Sequence, residues 1–147
     1  MAHRLARLED FAPGRTASFE KTITAADIEG FAELSGDRNP LHVDEEFASS
    51  TFFGGPIAHG MLSASLLSTV IGCLLPGTGA IYRSQNLRFL RPVHAGDTLR
   101  ATVAVREISS EREQLGLDTW VENQDGGRVI EGEAVVSLLR GLRTPAR

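Results

Sequence analysis

A single cysteine, Cys73, cannot close a disulfide within the chain and cannot build a cysteine metal cluster. It falls inside an apolar segment, where a buried and inert thiol is expected. Lysine is nearly missing too. Lys21 is the only one, and arginine carries the rest of the positive charge, a bias of composition rather than of chemistry. No run of basic residues occurs, and the formal net charge is −4, so nothing supplies a general attraction for nucleic acid. The first residues, MAHRLARLEDFAPGR, have no apolar stretch of the kind a secretion signal needs, and the cytoplasm is the expected compartment. Nor is there a clean membrane span. Residues 57–75 are long and apolar, but they carry His59, Ser63, Ser65, Ser68 and Thr69, with Gly60 and Gly72 between them. A span needs roughly 20 predominantly apolar residues, so a buried core helix is expected here and no membrane partner. Internal repeats and low-complexity segments are absent, and only the last residues, LRTPAR, read as a frayed tail.

What is present suits an ordinary globular chain. At 147 residues and 41% apolar, the whole of 1–147 reads as one domain with a real core. Phe19 and Ile23 mark a short strand over 17–23. Thr24 then reads as a helix cap, with Asp27 three residues on. Ile28, Phe31, Ala32 and Leu34 keep helical spacing, and Gly36 is the natural stop for a helix over 24–35. Residues 37–41 read as loop, because Pro40 pushes Asn39 away from helical dihedrals. Asp44 caps one or two turns ending at Ser50. Pro56 suits the first turn of the long helix, 57–75, which is apolar almost all round and expected to be buried on most sides.

After Pro76-Gly77-Thr78-Gly79 the pattern changes to strands over 80–89, 98–108, 114–123 and 128–139. Leu99, Ala101, Val103 and Val105 alternate with Arg100, Thr102, Ala104 and Arg106. Asp125-Gly126 makes the hairpin turn before the last strand, and PVHAGD over 92–97 is a longer turn. The expected class is α+β: an antiparallel meander of about four strands, preceded by one more, curled around a long central helix.

The chemistry concentrates between Ser35 and Leu62. Asp37, Asn39 and His42 lie within six positions, bounded by Gly36 and Pro40, and His59-Gly60 follow at the mouth of the apolar segment. On a continuous helix Asp37 and His42 would point about 140° apart, so they converge only if the chain turns between them. Gly60 falls in a first helical turn, where backbone N–H groups lack partners and the dipole favours negative charge. It reads either as a simple packing glycine or as a place for an oxygen to approach closely. Asn39 either orients the pair or bonds within the turn. His59 is expected to point elsewhere as a structural histidine. Asp44 is a cap, and His3 and His94 are expected in solvent. The spacing of His42, Asp44 and His59 matches no familiar zinc site, and no G-x-S-x-G supports a serine nucleophile.

SGDRNPLHVD (35–44) followed by FGGPIAHGML (53–62) resembles the hydratase signature of the MaoC-like, (R)-specific enoyl-CoA hydratases. The likeness continues through LPGTG (75–79), LRFLRPV (87–93) and Gly96-Asp97, and departs from the pattern at no reactive position. The resemblance implies a hot-dog fold and hydration of trans-2-enoyl thioesters, reversibly and with no metal or other cofactor, coenzyme A entering only as part of the substrate. It implies that Asp37 and His42 hold a catalytic water jointly, without saying which is acid and which is base. It assigns the oxyanion donor to Gly60, and it places Ser68 near that water, although a helix serine bonding its own backbone fits as well. Arg88 and Arg91 are expected either at the coenzyme A phosphates or simply exposed. Leu62, Leu66 and the loop 47–53 are expected to wall the acyl tunnel. A homodimer with sheets joined edge to edge is implied. Three alternatives stay open: a 3-hydroxyacyl dehydratase acting on carrier-protein thioesters, a thioesterase on the same fold, and a non-catalytic partner subunit.

Overall fold

The computed structural model describes residues 3–141, so the expected frayed tail lies outside the described residues. Strand β1 (Thr16–Thr22) leads into Ile23, which is fully buried, and then into helix α1 (Ala25–Ser35). The start of α1 is a complete capping box. The Thr24 hydroxyl accepts from the Asp27 N–H at 3.1 Å, and the Asp27 carboxylate accepts from the Thr24 N–H at 2.9 Å. The end of α1 is Gly36, whose φ of 83° is open to glycine at no steric cost. Two short helices follow, α2 (Pro40–Val43) and α3 (Glu45–Ser49), the second capped by Asp44 at 2.9 Å from the Phe47 N–H. The expected loop over 37–41 is therefore only partly loop. Pro40 opens a helical turn because its missing N–H is not needed there, and that turn carries His42.

The long helix α4 runs over Gly60–Thr69, not from Ile57. Pro56 does not start it. The N–H of Ile57 bonds the Leu41 carbonyl at 3.0 Å, and that of Ala58 bonds the Val93 carbonyl at 2.7 Å. Those bonds hold 57–58 extended and delay the helix to His59, its extended N-cap. Past Thr69 the helix widens into a π turn over Val70–Leu74. Leu62, Leu66, Leu67, Val70 and Ile71 are buried against the sheet, but Met61, Ser65, Ser68, Gly72 and Leu74 are not. The helix is thus covered on one side rather than most sides. Cys73 lies on the uncovered side and is exposed, not buried as its apolar neighbours suggested.

The sheet is antiparallel, in the order β1, β4 (Thr98–Ser109), β5 (Gln114–Glu122), β6 (Arg128–Leu138), β2 (Ala80–Gln85), with β3 (Arg88–Phe89) also on β6. Only β4, β5 and β6 form a meander. β2 pairs with β6 and not with the next long strand, because residues 90–97 carry the chain back across the molecule to β4. Buried Val93 and the Ile57–His94 bridge hold that crossing. The alternation along β4 places Leu99, Ala101, Val103 and Val105 in the core beneath α4.

The expected strand over 80–89 is broken at Asn86. The Asn86 N–H donates to the Glu133 carbonyl, and its side-chain oxygen accepts from the Glu133 N–H, both at 3.0 Å. A Cβ on Gly132 would lie 2.0 Å from the Asn86 carbonyl oxygen. The absent side chain is what lets the backbone cross there and redirects β3 toward the start of α4.

Candidate active site

The loop after Gly36 folds on itself through short bonds. The Asp37 N–H donates to the Ser35 hydroxyl, and the Asp37 carboxylate accepts from the Asn39 N–H, each at 3.2 Å. The Asn39 side chain caps α2 by accepting from the Leu41 N–H at 3.1 Å. Of the two roles open to Asn39, the turn is the one its side chain performs, while its backbone N–H helps orient Asp37. The turn of α2 then swings His42 back over the loop. The His42 Nδ1–H donates to the Ile57 carbonyl at 2.7 Å. A carbonyl oxygen can only accept, so in the neutral ring the proton is on Nδ1 and Nε2 keeps its lone pair. Nε2 lies 4.0 Å from the Asp37 carboxylate, too far for a direct hydrogen bond and close enough for one small group to touch both.

His59 joins this pair, against the expectation that it points elsewhere. It is 2% exposed. Its Nε2–H donates to the Asp37 backbone carbonyl at 2.8 Å, and its ring stacks on His42 with centroids 3.8 Å apart. Phe31 packs against its side, with centroids at 4.8 Å.

These residues line a cavity of about 700 Å³ together with Gly60, Phe53, Phe89 and Arg91. Gly60 opens α4, and among the described residues no backbone carbonyl accepts its N–H. A second, more apolar cavity of about 450 Å³ adjoins the first, sharing Phe31 and Met61 with it. Ala64, Leu67, Tyr82 and Leu87 line it, and so does Ser68. Ser68 is therefore not brought beside Asp37 and His42 in the single chain; it sits two turns deeper, on the uncovered stripe of α4.

Other expected positions fall elsewhere. Leu62 and Leu66 are core residues facing the sheet and line neither cavity. Of the loop 47–53 only Phe53 reaches the cleft. Arg91 is at the cleft, but Arg88 is on the outer face of the sheet, 3.8 Å from Glu131, because β3 alternates it with Phe89, which faces the cleft. His3 is exposed as expected. His94 is not: it is half-buried, and its Nε2–H donates to the Phe53 carbonyl at 3.0 Å, anchoring one wall of the cleft. The residues that the spacing of the sequence did not reveal are thus Phe31, His59, Phe53 and Phe89. All four are hydrophobic or aromatic in type, and only the adjacency of His59 to Gly60 hinted at one of them.

Asp37, His42 and His59 also place donor atoms within 4.8 Å of one another, a spacing that could hold a metal ion. The fit is poor. The two rings lie face to face, tilted by 27°, whereas ligands of one ion converge on it edge-on.

A helix laid on a curled antiparallel sheet defines the hot-dog fold, and here an acid and an imidazole share a cleft with the N-terminus of that helix. The chain belongs to the MaoC-like dehydratase family, whose domain model matches residues 10–135. It is 49% identical over 130 residues to an (R)-specific enoyl-CoA hydratase of Rhodospirillum rubrum, covering 88% of this chain and 90% of that one. It is 44% identical over 135 residues to a 3-hydroxybutyryl-CoA dehydratase of Methylorubrum extorquens, covering 92% and 85%. Among solved structures, the unliganded R-hydratase PhaJ1 from Pseudomonas aeruginosa superposes with a TM-score of 0.86 at 37% identity, covering 97% of this chain and 96% of that one.

Proposed function

We propose that this protein is a hydro-lyase that adds water to trans-2-enoyl-CoA, giving the (3R)-hydroxyacyl-CoA, and runs the reverse dehydration with the same groups. The observation that carries the reading is the His42 ring. Its Nδ1–H is committed to the Ile57 carbonyl, which leaves Nε2 facing the Asp37 carboxylate across 4.0 Å. Water placed between them loses a proton to the pair as its oxygen bonds C3. The electrons of the C2–C3 double bond move onto the thioester oxygen, and the pair returns a proton to C2. One O–H bond and the C2–C3 π bond break, and one C–O and one C–H bond form. The enolate oxygen that develops is met by the Gly60 N–H at the start of α4, where the helix dipole adds to the effect. This chemistry calls on no metal or other cofactor.

In the same reading the thioester lies along the first cavity and the acyl chain enters the second, past Phe31 and Met61. In that reading Arg91, which lines the cleft, meets a coenzyme A phosphate. The edge of β2, which no strand covers among the described residues, and the uncovered stripe Met61, Ser65 and Ser68 border that second cavity. A second copy pairing there closes it, which makes a homodimer part of the proposal. Among the described residues no helix is long and apolar enough to cross a membrane; a cytoplasmic location belongs to the proposal and is read by cell fractionation.

The deciding experiment is hydration of crotonyl-CoA with chiral analysis of the product. The (3R) product supports the reading and the (3S) product overturns it. Faster turnover of the matching carrier-protein thioester would move the substrate to that carrier. Thiol release from a saturated acyl-CoA would make the protein a thioesterase.

A further inference from the structure

We propose that His59 is a positioning residue for the hydration reaction, locking Asp37 and His42 in one geometry without touching substrate. The inference rests on the function proposed above. As the N-cap of α4, with φ −57° and ψ 136°, His59 directs its side chain back toward the loop rather than along the helix. From there a single ring does two things. Its Nε2–H donates to the Asp37 carbonyl at 2.8 Å and fixes the backbone from which the carboxylate springs. Its face stacks on His42, with centroids 3.8 Å apart and planes 27° apart, and fixes the plane in which Nε2 of His42 points. Phe31 backs the ring from α1.

The unused nitrogen separates this role from plain packing. His59 Nδ1 is buried and has no hydrogen-bond partner among the described residues. A ring kept only to fill space would be better served by phenylalanine, which has no polar atom to bury. The bare Nδ1 is tolerated because the other nitrogen must be a donor. A proton on Nδ1 would point at no acceptor among the described residues, while Nε2 faces a carbonyl, so the geometry favours the Nε2–H tautomer. His42 holds the opposite one. The stacked rings thus carry their protons on opposite nitrogens, and only His42 has a nitrogen free to exchange a proton with water in the cleft.

The test compares wild type with His59→Gln and His59→Leu on crotonyl-CoA, with melting temperatures measured alongside. Loss of activity in the wild type would refute the hydratase reading itself; the variants address His59 alone. Leucine removes both the donor and the stack, while glutamine keeps an N–H of similar reach. The expected result is a kcat for His59→Leu about 10-fold to 100-fold below wild type, the scale of a small misplacement of reacting groups. KM should stay within about threefold, since the residue does not bind substrate, and His59→Gln should recover part of the lost kcat. A lower melting temperature with kcat intact would reduce His59 to a structural residue, and a raised KM with kcat intact would make it a substrate contact. Either overturns the proposal. Should the variants fail to fold, nitrogen-detected NMR of the wild-type imidazoles decides. Nε2–H on His59 with bare Nδ1, beside Nδ1–H on His42, is expected; any other tautomer pair overturns it.

Discussion

The ring of Phe89 lies so close to Gly60 that a Cβ on residue 60 would come within 2.6 Å of its Cε1. The first residue of α4 and the end of β3 are thus mutually fitted, and the absent side chain keeps both the ring and the N–H of residue 60 in the cleft. Phe89 is half exposed, so it can turn aside. Gly60→Ala is therefore expected to fold, with the ring displaced into the cleft and the rate of crotonyl-CoA hydration down by on the order of 10²–10³, the scale seen when an oxyanion donor is lost. Adding Phe89→Ala relieves the clash and should restore part of that rate. A double variant no faster than the single would show that the ring is not what the methyl disturbs.

Gly132 makes a tighter demand. A methyl there meets a backbone carbonyl at 2.0 Å, not the end of a side chain, and the Asn86 backbone is pinned to Glu133 on both sides. Gly132→Ala is expected to cost at least the ~1–3 kcal/mol typical of overpacking, and to loosen the turn that carries Phe89. Chemical denaturation and the KM for crotonyl-CoA check the two parts separately.

The capping box ties helix α1 to pH. The Asp27 carboxyl is held below the usual carboxylate range chiefly by the Thr24 backbone N–H, which outweighs the opposing effect of burial, with a lesser contribution from Lys21. A folded-state value below the unfolded one contributes stability that is present above the unfolded pKa and is lost as the pH falls through the folded one. Asp27→Ala should therefore destabilise by about 1 kcal/mol near neutrality, the usual worth of a cap, and by less in acid, where the wild type has lost the same interaction. Denaturation at pH 7 and pH 3 reads the difference; an equal loss at both would contradict the assignment.

What was legible in the sequence follows from how local its cause is. Thr24, Asp27 and Gly36 act within one helix, so the bounds of α1 could be read directly, as could the hairpin turn at Asp125-Gly126 and the alternation of β4. The convergence of Asp37 and His42 was legible too, because Gly36 stops α1 just before Asp37 and Pro40 lies between the two. The stack of His59 on His42 was not. It depends on Ile57 and Ala58 being held extended by Leu41 and Val93, contacts made across the fold. The pairing of β2 with β6, and the exposure of Cys73 and Ser68, were hidden for the same reason: composition says that a segment is apolar, not which of its sides the sheet covers.

That uncovered side gives a prediction about assembly. A β2 edge that no strand covers among the described residues, beside Met61, Ser65 and Ser68 on the exposed stripe, is expected to be closed by a second copy, and light scattering at micromolar concentration should report a dimer. Ser65→Arg places a charge on the stripe away from Asp37 and His42 and should shift the protein toward monomer. If the protein is a dimer that Ser65→Arg leaves intact, the interface lies elsewhere.

The acid–base pair is the sharpest test of the site. Asp37 is held by the Ser35 hydroxyl and the Asn39 N–H, and His42 by the Ile57 carbonyl, so neither depends on the other for its place. Asp37→Asn and His42→Gln should each fold with a melting temperature near that of wild type. Each should lose crotonyl-CoA hydration by ~10²–10⁴, the range for a general acid–base group. Because both touch one water in the proposed mechanism, removing the second partner has little left to remove, and the double variant should be scarcely slower than either single. Losses that multiplied in the double variant would mean two independent contributions, and the joint handling of the proton would be wrong. Near wild-type rates in both singles would move the chemistry away from this loop, while leaving the fold and the family untouched.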